Sequence, residues 1–202
     1  ARVMDRLKTL VNAPNVALLM GTGTLANEAI AAHLAAWGTP GLVLSNGEFG
    51  DRLIDHAQRH QLDHAALRVP WAERFDLDAI ATHLQTARPA WIWAVHGETS
   101  TGVLNDLPAL LELATRHGAR LCVDAVSTIG AVPVDLSGVL MASGVSGKAL
   151  GSAAGLAFVA YDTLPPTSRP IPRALDLAYN QAKGGVPFTS SSLGRKKFPS
   201  GR

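Results

Sequence analysis

Lys148, in GVSGKALGSAAG, and Asp124, near the end of ARLCVDAV, are an amine and a carboxylate placed where apolar runs end. In open α/β sheets ligands collect just outside the carboxyl ends of the strands, so the residues after each apolar run are the candidates for chemistry. They form one set. VALLM breaks at Gly21-Thr22-Gly23 and is followed by the apolar-striped TLANEAIAAHLAAW. Glycine permits a tight turn there, and a helix N-terminus offers unpaired N–H groups to an anion. GLVLS leads into NGEFGDR with Phe49, and AWIWAV into HGETSTG with Thr99 and Ser100. The fifth run brings Asp124 and Val126, and GVLMAS leads to SGKAL with Lys148. An anion cradle, an aromatic face, hydroxyls, a carboxylate and a lone amine would line one rim.

This inventory is what pyridoxal phosphate requires: a phosphate cradle, a carboxylate that keeps the pyridine nitrogen protonated, and a lysine for the Schiff base. Gly21, Gly23 and Ala26 also satisfy the dinucleotide pattern G-x-G-x-x-G/A. A nicotinamide cofactor, however, wants an acid closing the second strand roughly 20 residues on. Ser45-Asn46 stands there, with Glu48 only in the following turn, so the nicotinamide-dependent oxidoreductase is the weaker alternative. Each residue also has a plain structural reading. Thr22 and Thr24 suit helix N-caps, Asp124 a turn cap, Phe49 the core, and Lys148 a solvated charge.

The elements that must position this set alternate along the chain. Strand-length runs (VALLM, GLVLS, AALRV, AWIWAV, ARLCVDAV) alternate with helix-period segments (24–37, GDRLIDHAQRHQ, LDAIATHLQTA, LPALLELATRHG), which predicts a mostly parallel sheet with flanking helices. GVLMAS and GLAFVAYD are too close for a long crossover helix, so they are expected as neighbouring antiparallel strands. The expected organisation is an α/β core over residues 1–162, a proline-rich loop and contact segment over 163–192 holding one short helix, and a basic tail over 193–202.

Composition narrows the function classes. With 202 residues, 47% hydrophobic and 17% charged, the chain can bury a substantial core. A net charge of +2 gives no reason to expect nucleic acid, and GRKKFPSGR reads as a solvated tail. No stretch approaches the length of a membrane span, and ARVMDRLKTL lacks a signal-peptide layout, so no membrane role and a cytoplasmic location are the expectations. The single Cys122 lies inside an apolar run and reads as a small buried side chain, unlike the exposed nucleophile of a desulfurase. Seven histidines show no ligand spacing, so no metal is expected, and His96 reads as a supporting residue.

NGEFGDR, HGETSTGVLNDL, VDAVSTIGAVPVDL, SGKALGSAAGLAFV and GGVPFTSSS together resemble, in order and spacing, the class V aminotransferases over about residues 1–192. That resemblance implies the large domain of a pyridoxal phosphate-dependent transferase. A small amino acid (alanine, serine or 2-aminoethylphosphonate-like) and a 2-oxo acid such as pyruvate or glyoxylate would be the substrates, on a homodimer. It implies Lys148 as the Schiff-base lysine, Asp124 as partner of the pyridine nitrogen, and Thr22, Gly23 and Thr24 as the phosphate cradle. Phe49 and Val126 would pack on the two ring faces, with Ser100 near the ring oxygen. Thr189, Ser190 and Ser191 would reach the cofactor phosphate of the neighbouring subunit. The sequence departs from the pattern at Gly147, where the family often has Gln, Asn or another polar residue. By the same resemblance, the family's smaller C-terminal domain, with its carboxylate-binding arginine, and its N-terminal segment are expected to lie outside these 202 residues. A non-catalytic fragment of the fold is therefore the alternative.

Overall fold

The computed structural model describes residues 2–183. The seven apolar runs become β1 (Asn15–Met20), β2 (Gly41–Ser45), β3 (His64–Arg68), β4 (Trp91–Val95), β7 (Arg120–Asp124), β8 (Met141–Val145) and β9 (Leu156–Tyr161), in one sheet of order β1-β9-β8-β7-β4-β2-β3. β3, β2, β4, β7 and β8 pair in parallel; β9 is antiparallel to both β8 and β1. β9 alone therefore runs against the other six. The expected antiparallel pairing of the last two runs is present, with Met141 opposite Tyr161 and Val145 opposite Ala157. The carboxyl ends of β1, β2, β4, β7 and β8 thus reach one edge, and that edge carries the residues singled out above.

Alternation along the strands builds two apolar layers, because successive side chains point to opposite faces. Leu42, Leu44, Ile92, Ala94, Leu121 and Val123 face one way, where α1 (Arg2–Val11), α4 (Leu77–Ala87) and α5 (Leu107–Arg116) cover them with Leu7, Val11, Ile80, Leu84 and Leu110. Val43, Trp91, Trp93 and Cys122 face the other way, under α2 (Gly23–Trp37), α3 (Glu48–Arg59) and α6 (Leu177–Ala182). Cys122 is fully buried, and burial pushes its thiol up to about 12, so it is inert. Trp91 lies across β2: a Cβ on Gly41 would fall 2.0 Å from its ring. The α4, α5 and α6 starts are fixed by Asp76, Asp106 and Asp176, whose side chains accept N–H bonds of the first turn.

The structure adds two elements to those read from the sequence. Helix α1 carries Val3, Met4, Leu7, Leu10 and Val11 at helical spacing, of which only Leu7 and Val11 are buried. A hairpin of two-residue strands, β5 (Gly97–Glu98) and β6 (Val103–Leu104), is too short to show an alternating pattern. Residues 163–183 stay on the core. Its α6 returns to α2 and β1, with Leu177 buried and Gln181 bonded to Asn15 at 3.0 Å. No helix among the described residues is long and apolar enough to cross a membrane.

His33 ties α6 to α2 by accepting the Leu177 N–H on Nε2 at 3.1 Å, which requires that nitrogen to be unprotonated. Burial pushes its pKa down to about 4, only partly opposed by Asp176. The unfolded chain therefore binds the extra proton between pH 6.5 and about 4. The stability that neutral His33 supplies is full above pH 6.5 and is lost as pH falls through about 4. The stability gap between wild type and His33→Gln should narrow by up to about 3 kcal/mol over that interval, measured by urea unfolding from neutral pH down to about 4. A gap independent of pH would exclude this linkage.

Candidate functional site

At the carboxyl edge a cavity of about 320 Å³ opens between the start of α2, the start of α3, the hairpin and the turns after β7 and β8. Its first wall is the turn after β1. Thr22 is the extended N-cap residue of α2 (φ −99°, ψ 173°), and its side chain makes no capping hydrogen bond. The Leu25 and Ala26 N–H groups bond back to the Thr22 carbonyl at 3.0 and 3.4 Å. The N–H groups of Gly23 and Thr24 are left at the positive end of the α2 dipole, beside the cavity that both residues line. Gly23 is there because of packing: a Cβ would lie 2.8 and 2.9 Å from the Val126 methyls. Any larger residue would push α2 away from the turn after β7.

Asp124 ends the central strand and is 7% exposed. Its Oδ1 accepts the Val126 N–H at 2.9 Å, and its Oδ2 accepts Nδ2 of Asn27 at 2.7 Å. It thus caps its own turn and also faces the cavity. Burial drives its carboxyl pKa above the ordinary value, against the pull of those two donors, of the Ser143 hydroxyl and of nearby His56. A buried carboxylate in this state is short of a cationic or N–H partner. Asn27 shares the shortage, since its Oδ1 is buried without a hydrogen bond. His56, also on the wall, is held from behind by Glu28, whose other oxygen contacts His60.

The opposite wall is Phe49, in the first turn of α3, with Arg52 lying over its ring 4.9 Å from the centroid. The hairpin supports this turn. Glu98 is fully buried and accepts the Phe49 and Gly50 N–H groups on Oε2, both at 3.0 Å. Ser100 donates its hydroxyl to Glu98 at 2.5 Å and accepts the Glu48 N–H at 3.1 Å. Its side chain is committed to the hairpin, and the hydroxyl-bearing residue that lines the cavity from this segment is Thr99.

Lys148 sits on the turn after β8, closed by Gly151 N–H to the Lys148 carbonyl at 2.9 Å and by Ser146 Oγ to the Ala153 carbonyl at 2.6 Å. Its small and apolar neighbours do not bury it; it is exposed at the cavity mouth. At Gly147 a Cβ would lie 3.0 Å from Ala154, so this turn is packed for glycine. His96 lies outside the cavity lining, bonded to Thr128 at 2.9 Å, and burial lowers its pKa.

The cavity therefore brings together Thr22, Gly23, Thr24, Phe49, Asp124, Val126 and Lys148 from among the residues expected from the sequence. Thr189, Ser190 and Ser191 lie outside the described residues. Asn27, Arg52 and His56 line it without having been anticipated, and Glu98 supports it from behind. Asn27 had a readable signal: it follows Gly23 by four residues and so shares its helix face. Glu98 had none, because its burial depends on the hairpin.

Comparison with known proteins agrees with this geometry. The family model described as aminotransferase class-V matches residues 2–162. The chain is 39% identical over 151 residues to a soluble hydrogenase 42 kDa subunit of Anabaena cylindrica, covering 72% of this chain and 39% of that one. It is 34% identical over 121 residues to a 2-aminoethylphosphonate–pyruvate transaminase of Bacteroides fragilis, covering 59% and 33%. It thus spans between a third and two fifths of these curated relatives. Among solved structures it superposes on an alanine–glyoxylate aminotransferase from Nostoc sp. with TM-score 0.80 and 34% identity, over 88% of this chain and 51% of that one. A ureidoglycine–glyoxylate aminotransferase from Bacillus subtilis gives TM-score 0.80 and 29% identity, over 87% and 48%. The mostly parallel sheet, its flanking helices and the matched span together make this chain a member of the class V aminotransferase family.

Proposed function

We propose that the cavity is a pyridoxal phosphate site and that the protein to which this chain belongs moves an amino group from a small amino acid to a 2-oxo acid. The observation that carries this reading is the buried, partner-short carboxyl of Asp124 facing the cavity at whose mouth Lys148 sits. The residues present fit the group. A pyridine N–H would supply the partner that Asp124 lacks, and a phosphate would take up the Gly23 and Thr24 N–H groups at the start of α2. The nicotinamide alternative has little support at the end of β2. Ser45 and Asn46 are buried and engaged with Asp51 and Asn105, and Glu48 is paired with Arg52.

When bound, the cofactor supplies an electron-withdrawing ring that accepts the electron pair left as a bond to the substrate α-carbon breaks. Asp124 keeps a proton on the pyridine nitrogen, which strengthens that withdrawal. Thr22, Gly23 and Thr24 hold the phosphate. Phe49 and Val126 confine the ring from either face, and Thr99 takes the place expected for the Ser100 hydroxyl. Lys148 Nζ would tether the cofactor and, as a free amine, would move the proton at the substrate α-carbon. The donor is alanine, serine or a 2-aminoethylphosphonate-like amine, and the acceptor pyruvate or glyoxylate; all of these but serine stand in the relatives' names. A homodimer in the cytoplasm completes this reading, with Thr189 to Ser191 reaching the neighbouring subunit's site.

Adding pyridoxal phosphate to the purified chain should produce a visible absorbance band, and borohydride should then fix the cofactor to the peptide containing Lys148. Lys148→Ala should abolish fixation while retaining weak phosphate-dependent binding. Fixation at another lysine, or no band, would discard the assignment.

Asp124→Asn should act in opposite directions on the empty and loaded chains. A folded-state pKa raised above the unfolded value means that Asp124 favours the fold only while protonated, and that this contribution is lost as pH rises through the folded pKa. The substituted amide carries no charge, and its new N–H can meet the unpartnered Oδ1 of Asn27. The ligand-free variant should therefore melt above wild type at about pH 7 to 8, with the difference closing below about pH 4. Its cofactor affinity should fall about tenfold to a hundredfold, the scale of one charge-assisted hydrogen bond. Thermal melts across pH, with cofactor titrations, check both; a variant less stable than wild type on the alkaline side would mean that Asp124 is mainly a turn cap.

A further inference from the structure

We propose that Glu98 is the positioning residue that sets Phe49 against a ring bound in the cavity. Its carboxylate has no cationic partner among the described salt bridges, so its charge rests on neutral donors and on the N-terminal end of α3. Oε2 takes the N–H groups of Phe49 and Gly50, while Oε1 takes the hydroxyl and the N–H of Ser100 at 2.5 and 3.2 Å. The Glu98 carbonyl in turn receives Thr101 and Gly102 N–H at 3.2 and 2.8 Å. Gly47 lets the chain cross directly over this side chain, since a Cβ there would fall 2.5 Å from Glu98 Cγ.

The arrangement locks the first turn of α3 to the hairpin, and through it couples two walls of the cavity. Phe49 stands on one, Gly97 and Thr99 on the other. A group loose by about 1 Å in such a site can cost on the order of a hundredfold in reactivity, so a fixed backbone at Phe49 is a functional requirement as well as a structural one. The bonds go to the Phe49 main chain, so Glu98 acts through Phe49 and touches no ligand itself. Gln can replace it in part, keeping an acceptor for the Phe49 and Gly50 N–H groups and donating to Ser100 Oγ; Ala cannot.

The inference rests on the pyridoxal phosphate reading for the identity of the ring, so its test has two arms. In the first, cofactor dissociation constants are measured by absorbance titration for wild type, E98A, E98Q, F49A and E98A/F49A. E98A should weaken binding about tenfold and E98Q less than about threefold, and the double variant should bind no worse than F49A, because the ring contact through which Glu98 acts is already gone. Losses that multiply in the double variant, or an unchanged E98A, overturn the proposal. Should E98A not fold, S100A takes its place: it removes one donor to Glu98 and the acceptor of Glu48 N–H, and its smaller loss must also vanish beside F49A. In the second arm, amide hydrogen exchange is followed on the ligand-free chains. Exchange at Phe49 and Gly50 should quicken by about tenfold or more in E98A, by less in S100A, which keeps the Oε2 acceptor, and stay near wild type in E98Q, with β4 and β7 unchanged. Unchanged exchange at Phe49 and Gly50 overturns the clamp. A wild-type chain that binds no cofactor while its exchange behaves as expected overturns the ring-positioning role together with the reading beneath it, and leaves a clamp with no ring to serve.

Discussion

Burying the carboxylate of Asp124 at the end of the central strand is the constraint around which this edge of the molecule is arranged. Taking such a group from water costs several kcal/mol unless donors replace the lost hydration. One donor is local, the Val126 N–H of the following turn. The other comes from Asn27 on α2, ninety-seven residues away in sequence, so the helix must lie close over the strand end. That closeness is what excludes a side chain at Gly23, where Val126 already fills the space. The placement of α2 then fixes where its first N–H groups emerge. A single buried carboxyl group thus links the central strand, the glycine turn and the N-terminal end of the helix.

The sheet was legible in the sequence because its strands, apart from the edge strand β3, are largely buried and stand out as apolar runs between helix-period segments. All seven runs form strands, and the short spacing between GVLMAS and GLAFVAYD gave the one reversal of direction. Of the site, the sequence exposed those residues that lie directly after strands: Thr22 to Thr24, Phe49, Asp124, Val126 and Lys148. Others depend on contacts distant in sequence. Glu98 looks like a surface acid until a two-residue hairpin buries it, and Asn27 looks like a polar interruption of an alanine-rich helix. His56 and Arg52 sit on a strongly amphipathic helix, where a charged face usually means solvent. Choosing between Thr99 and Ser100 required the turn geometry, since adjacent hydroxyls in a tight hairpin point different ways. Lys148 shows the opposite error, because small and apolar neighbours suggested shelter where the turn holds it exposed.

The two buried carboxylates of the site differ in a way that separates their roles. An ionised carboxylate offers about four lone-pair positions. Glu98 fills four, with the N–H groups of Phe49, Gly50 and Ser100 and the Ser100 hydroxyl. Asp124 accepts from Asn27 and Val126, with the Ser143 hydroxyl as a further close donor, and so has one donor fewer than Glu98. A saturated carboxylate has nothing to offer a ligand and can only hold the chain; an unsaturated one, raised in pKa by its burial, gains stability by finding a donor. The same residue chemistry therefore yields a saturated support on one wall and an unsaturated acceptor on the floor. The division follows from hydrogen-bond count alone, without appeal to the identity of what binds. It also explains why the cavity can keep its shape before a ligand arrives: the wall that must stay fixed is the one whose polar groups are already satisfied.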